Sequence, residues 1–313
     1  MGKAIIVPNA DFYSRNLGKV TKADLYIDGA SSIFWEGVFK AYLADGTPVS
    51  ANWSVSGPAT ISASTGKQVT VETTGRGVVS LTATYGSYTF TKQIESTNDG
   101  YIKNGLVLYL DGADCNGTTW VDRAGGKVFT LHNAKINGEG VIFHTTAYSA
   151  AGASYASNST MHSVTPTAGT IEICAYRTGI RASGEPEHIV FGGTANRIVY
   201  VVASGGNYVV ISNNTSNNAP RALINGRTLE KFTHSINAAR HVYNGQLGEL
   251  GANIANARSG YVQIGCRTDG HYAFEGIVYQ VRIYNRQLTE EEMLHNQSID
   301  AEKYGITLNT DTE

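Results

Sequence analysis

The sequence predicts an all-β protein, a small sandwich followed by a larger one, with a short helix near the C-terminus. Three observations carry that prediction. Glycine occurs 35 times against three methionines in 313 residues, and Thr, Ser, Asn, Val and Tyr fill the short segments between glycines, the composition of strands and tight turns. Residues 78 to 85 alternate strictly, with Val79, Leu81, Ala83 and Tyr85 set for one face and Ser80, Thr82 and Thr84 for the other. Near the end, Thr289 and Glu292 form a capping box and Leu288 faces Met293 as a hydrophobic staple.

Taken in order, residues 1 to 21 lack a sandwich pattern and read as an arm. Ile5, Ile6 and Val7 are too few to bury themselves, so they are expected to anchor the chain on a partner's surface, by edge-strand addition. Strands follow at 37 to 43, 52 to 55, 68 to 72 and 78 to 85, with Asp45-Gly46-Thr47-Pro48, Ser56-Gly57-Pro58 and Thr74-Gly75-Arg76-Gly77 as turns. Trp53 is assigned to that core. The first domain is placed at 22 to 95, a polar linker at 96 to 103, and the second domain at 104 to 313, where alternation restarts with Leu106, Leu108 and Leu110. Further strands are predicted at 169 to 176, 187 to 191, 198 to 203, 208 to 212, 261 to 264 and 274 to 284. The helix is expected to run from Thr289 to about Asn296, with Glu290 and Glu291 in its first turn, where the helix dipole favours carboxylates.

Two segments carry family resemblances. "FKAYLADGTPVSANWSVSGPATIS" followed by "VTVETTGRGVVSLTATYGSYTFTKQI" resembles a bacterial Ig-like domain of the group-two kind, over residues 22 to 95. "NGLVLYLDGADCNGTTWVDRAGGKVFTLHNA", "GVIFHTTAYSAAG" and "FEGIVYQVRIYNRQLTEEEMLHNQSIDAEKYGI" resemble the opening, second strand and closing segment of a laminin-G-like, concanavalin-A-like jelly roll. The resemblance implies two curved antiparallel sheets, with a closing strand around Ile277 to Tyr284 that hands over to the helix. Proteins with this ending bind glycans, bind proteins or serve as structural modules.

Composition excludes several functions. The net charge is −2 and no run of Lys or Arg exceeds two residues, so neither nucleic acid nor an anionic membrane is an expected partner. No apolar run approaches the roughly 18 residues that cross a bilayer. Cys115, Cys174 and Cys266 have neither metal-ligand nor CxxC spacing and read as free thiols, and the eight histidines form no HxH or HExxH.

Members of the jelly-roll family that hydrolyse β-glucans carry two glutamates with an aspartate between them on one strand, whose alternate side chains share a face. That triplet is missing. Glu172 has Cys174 and Tyr176 beside it, and Glu187, Glu249 and Glu275 are equally solitary. Without a GxSxG elbow, a P-loop or GxGxxG, the chain is expected not to be an enzyme, with a glycan hydrolase as the alternative.

Binding is the expected function. Eighteen tyrosines supply sugar-stacking surfaces, most of them on strands; the loop aromatics Tyr148, Tyr155, Tyr208 and Tyr272, with Arg197 and Asn207, are the candidate glycan contacts. No cofactor is called for. Calcium is the one candidate ion, because several such jelly rolls hold one, and Asp111, Asp114 and Asp122 are its candidate ligands; Asp122 equally reads as a turn residue bonding its own backbone.

The leader "GKAIIVPNADFYSRNLGKVT" and the closing segment also look like those of phage structural proteins. The expectation is a virion accessory protein, a head fibre or decoration protein or part of a tail appendage. It assembles in the host cytoplasm, docks through its arm on other virion proteins as a homo-oligomer, and turns a lectin-like domain toward host or mucus glycans. A purely architectural oligomer without ligand is the remaining alternative.

Overall fold

The computed structural model describes residues 24–144, 152–158, 169–177, 187–192, 198–202, 207–212, 215–222, 226–234, 239–243, 246–250, 262–266 and 273–308. The chain divides into two compact units, residues 1–101 and 102–313. Both are β-sandwiches, and one helix lies near the C-terminus, so the all-β fold predicted from sequence is the fold observed.

In the first unit a four-stranded sheet runs in the order Leu25–Asp28, Glu36–Leu43, Gln68–Thr73, Ala59–Ile61. It packs on a five-stranded sheet in the order Ser32–Ile33, Tyr88–Ser96, Gly77–Tyr85, Ala51–Ser56, Thr65–Gly66. Alternation explains the packing: Phe39, Ala41, Val69 and Val71 from one sheet and Trp53, Val79, Leu81, Ala83 and Ile94 from the other form a single apolar cluster. The Trp53 indole N–H donates to the Gly66 carbonyl at 2.8 Å, so its one polar atom is satisfied in the core. Gly57 has φ +95°, and a Cβ there would lie 2.4 Å from the Val78 carbonyl oxygen, so this turn requires glycine.

Tyr85 departs from its predicted place. It is 41% exposed, because it pairs with Tyr88 at the hairpin tip, beyond the edge of the core. The polar stretch after Glu95 folds back on this unit: the Asn98 amide donates to the Thr73 carbonyl at 2.9 Å, and the Ser96 hydroxyl to Gly75 at 2.6 Å.

In the second unit one sheet runs in the order Lys135–Ile136, Val141–Phe143, Gly276–Tyr284, Gly169–Arg177, Gly226–His234, Ala239–Tyr243, Gln246–Leu250, with Leu106–Asp111 also paired to Gly276–Tyr284. The other runs Thr119–Val121, Val128–His132, Tyr155–Asn158, Val262–Ile264, Glu187–Gly192, Ile198–Val202, Asn207–Ser212, Thr215–Ala222. Leu108, Leu110, Ile171, Ile173, Val281 and Ile283 of the first meet Trp120, Phe129, Leu131, Ala156 and Ile264 of the second in one core. The strand from Thr215 escapes sequence reading because TSNNAPRA has no apolar alternation; it closes the order of its sheet, a position that tolerates Pro220.

The helix spans Glu290–Tyr304, eight residues beyond the predicted end at Asn296. Its capping box is present, with the Thr289 side chain accepting from Glu292 N and the Glu292 carboxylate accepting from Thr289 N. Gly305 ends it in the left-handed conformation, φ 64°. The extension was hidden because half of the buried face is polar: Asn296, Gln297 and Asp300 share it with Met293, Ala301 and Tyr304.

Candidate functional site

The two sheets of the larger unit present different outer faces. On the first, positions that alternate with the core carry Glu172, Gln280 and Arg282, all buried beneath the C-terminal helix. Arg282 Nε donates to Glu172 Oε2 at 2.6 Å, while its two terminal nitrogens donate to Asp300 at 2.9 and 2.5 Å. Asn296 donates to Glu172 at 3.0 Å and to the Tyr284 hydroxyl at 2.9 Å. Burial pushes the Tyr284 phenol well above its ordinary pKa, and the neighbouring Glu172 charge adds to that. The network thus joins two carboxylates through one guanidinium, and sequence spacing had left Glu172 solitary because Asp300 comes from the helix. With Glu172 at 1% and Asp300 at 2% exposure, both act here as packing ions that dock the helix.

The network continues to the candidate calcium aspartates. Gln280 also accepts from Arg282 and donates to the Tyr109 hydroxyl at 2.8 Å. Asp111 caps the 3-10 turn at Ala113 and lies 2.5 Å from Lys303 Nζ and 3.3 Å from Arg123. Asp114 receives Arg123 Nε and Nη2 at 2.5 and 2.8 Å. Burial opposes the Arg123 charge, yet the Asp114 hydrogen bond and nearby Asp111 hold its pKa above the ordinary arginine value. Asp122 accepts the backbone N–H groups of Tyr109, Ala124 and Gly125 at 2.7 to 2.9 Å, which is turn-forming work. Cations and N–H groups thus contact the oxygens of all three aspartates, and among the described residues no three acidic, His or Cys side chains gather to hold a metal. Burial and then Asp114 and Asp111 push the Cys115 thiol up to about 12.

The outer face of the second sheet has no such layer among the described residues. It alternates out from Phe129, Leu131 and Ala156 of the core and presents Thr119, Val121, Val128, Thr130, His132, Tyr155 and Ser157. Val121 and Val128 are exposed, at 41% and 47%. His132 and Tyr155 are cross-strand partners whose rings stack with centroids 4.3 Å apart and an interplanar angle of 18°. The Ser157 hydroxyl lies 3.4 Å from His132 Nε2. Just after His132, Asn133 takes a left-handed φ of 51°, and its carbonyl accepts the Ser154 hydroxyl at 2.7 Å, which fixes the end of the strand. Aromatic, aliphatic and hydroxyl groups on one open face suit a ligand with both apolar faces and hydroxyl edges.

Of the predicted glycan contacts, Tyr155 belongs to this face; it opens strand Tyr155–Asn158 rather than lying in a loop, and its ring packs against Ala153, Cys266 and Ala273. Asn207 and Tyr208 begin a strand of the same sheet. Tyr148, Arg197 and Tyr272, like the anchor residues Ile5, Ile6 and Val7, lie outside the described residues. His132, Thr130 and Ser157 were missed; the alternation of "VFTLH" was the signal available, and it became useful only once Tyr155 was known to pair with His132.

No family model matches the chain, and no curated protein matches it. Solved structures do. It is similar to a Trypanosoma rangeli sialidase in complex with sialic acid, at 10% identity and TM-score 0.49, over 90% of this chain and 54% of that one. It is also similar to a receptor-binding domain, at 10% identity and TM-score 0.49, over 63% and 51% of the two chains. A third is the Ruminococcus gnavus IT-sialidase carbohydrate-binding module bound to α2,3-sialyllactose, at 13% identity and TM-score 0.37, over 45% of this chain and 95% of that one. The chain spans about half the length of the sialidases it matches. At these identities the likeness is one of β-sheet architecture. The expectation of a protein that is not an enzyme is corrected by these findings: sialidases, including one with trans-sialidase activity, stand among the similar structures, and lack of catalysis is not assigned to this chain.

Proposed function

We propose that the protein recognises carbohydrate, and that the open outer face of the second sheet of its larger unit holds the sugar. The observation that carries this reading is the stacked His132–Tyr155 pair set among Thr130, Ser157 and exposed Val128 on a sheet face that no helix covers among the described residues. A pyranose offers an apolar C–H face for the rings and hydroxyls for the side-chain oxygens. Screening the full chain on an array of sialylated and neutral glycans identifies the ligand. Tyr155→Ala should then weaken binding at least tenfold while the melting profile stays cooperative. Unchanged affinity in Tyr155→Ala overturns the assignment of this face.

A second reading is hydrolysis of a bound glycan, at a site other than the helix-covered Glu172–Arg282–Asp300 layer. Release of reducing ends from sialylated or neutral glycans by the full chain supports it.

The biological setting that the resemblance supports is a phage particle. In that setting the chain is a virion accessory protein, attached through Ile5, Ile6 and Val7 to another virion protein, present in several copies and presenting its larger unit to host-surface or mucus glycans. Particles that carry the protein at normal occupancy without residues 2 to 21 would overturn the attachment.

A further inference from the structure

The two outer faces of the first sandwich are chemically unlike. The four-stranded sheet turns Asp28, Glu36, Lys40 and Glu72 outward among its neutral residues, the mixed charge of an ordinary solvated surface. The five-stranded sheet turns out Glu95 beside exposed Val78 at one end and, beyond them, a block of nine neutral positions. Register aligns three rows across three strands: Ser56, Ser80 and Gln93; Ser54, Thr82 and Thr91; Asn52, Thr84 and Thr89. Strands sit about 4.8 Å apart and same-face residues about 7 Å apart, so the block is a regular grid of hydroxyl and amide groups.

Cross-strand pairing accounts for part of this grid. Thr82 and Thr91 hydroxyls lie 2.8 Å apart, Thr84 and Thr89 3.2 Å, and Ser80 donates to Gln93 at 3.0 Å. Each such hydroxyl still has hydrogen-bonding capacity left. The third strand is different: Asn52, Ser54 and Ser56 are exposed and make no side-chain hydrogen bond among the described residues. At the open end of the grid, past Thr84 and Thr89, the hairpin tip exposes Tyr85 and Tyr88, each at 41%.

We infer that this face docks a neutral polysaccharide in an extended conformation. The absence of charge from all nine positions disfavours polyanions and polycations, which need complementary charge for affinity. It also leaves donors and acceptors of both kinds at a regular spacing, the complement of a polymer whose hydroxyls repeat along a straight edge. The tyrosines at the tip supply a stacking surface for the face of a sugar ring. A second copy of the chain is the competing occupant, and it would have to desolvate two polar grids with little apolar area in return.

The test uses the full chain and co-sedimentation with insoluble cellulose, chitin and β-1,3-glucan, with soluble polygalacturonate as a charged competitor. The chain should pellet with at least one neutral polymer and should not be displaced by polygalacturonate. Thr82→Val with Thr91→Val keeps the β-branched shape and removes the central hydroxyls, and should cut the bound fraction at least tenfold. Val38→Ala, on the opposite sheet of the first unit, should leave pelleting unchanged, whereas pelleting that is lost in Tyr155→Ala and kept in the double valine variant would assign the polymer to the larger unit and overturn the inference. The inference is overturned if no neutral polymer is bound, if the double valine variant pellets like the parent, or if its main effect is a change of sedimentation coefficient, which would assign the face to self-association.

Discussion

The N-terminal sandwich closes its sheets with Phe39, Trp53, Val71, Leu81 and Ile94, whereas the C-terminal unit closes the outer face of one sheet with Glu172, Arg282, Asp300 and Asn296. Both layers are buried, but by opposite chemistry. The apolar core gains from every ångström squared it removes from water and tolerates approximate fit. The ionic layer recovers the cost of desolvating its charges only when each is paired in good geometry, so it fixes one position of the helix on the sheet. The difference teaches that burial alone does not say how a layer responds to substitution.

The largest expected effects compare the two layers directly. Arg282→Met leaves two buried carboxylates without a cation and should destabilise the C-terminal unit by about 3–5 kcal/mol, read from the denaturant midpoint. Adding Glu172→Gln and Asp300→Leu to that variant should restore most of the loss, because no unpaired charge remains. Phe39→Ala should cost the first unit a similar amount, about 3–5 kcal/mol, through a cavity, and no second polar-to-apolar change should rescue it. Rescue in both units, or in neither, would erase the contrast.

A smaller effect belongs to the helix start. Thr289→Ala removes the cap that Glu292 N donates to and should cost about 1 kcal/mol. Glu292 is held below the usual carboxylate range, first by the Arg286 hydrogen bond, so its contribution is complete above the unfolded carboxylate value and fades as pH falls through the lowered folded value. Acid titration of helix content should show a smaller limb in Arg286→Gln than in the parent, the remainder coming from the Thr289 hydrogen bonds.

The smallest effect lies at the alkaline end. Tyr284 has a raised pKa through burial, so its contribution is intact below the unfolded phenol value of about 10 and is lost as pH rises toward the folded value. Tyr284→Phe should lower stability at pH 7 by about 1 kcal/mol, by removing the partner of Asn296, and should flatten the stability loss above pH 10.

How much of this was legible in sequence follows the same divide. The strand from Gly77 to Tyr85 was readable because Val79, Leu81 and Ala83 repeat every second residue against a polar face. The start of the helix was readable because capping is local, written within four residues. Its end was not, since Asn296, Gln297 and Asp300 hide the helical period that apolar residues would have shown. The partner of Glu172 was equally invisible: Arg282 is 110 positions away, and Asp300 reaches the same guanidinium from another element. At the candidate sugar face Tyr155 was singled out as an aromatic, but His132 acquired meaning only from the strand pairing that stacks the two rings.

The most direct test of carbohydrate recognition on the open sheet is a crystal structure of the full chain with the best ligand from the glycan array. The account predicts a sugar ring against Tyr155 and His132, with Ser157 or Thr130 in hydrogen-bond distance of its hydroxyls. A sugar bound elsewhere on the larger unit, with these four residues unchanged and solvent-exposed, would contradict it.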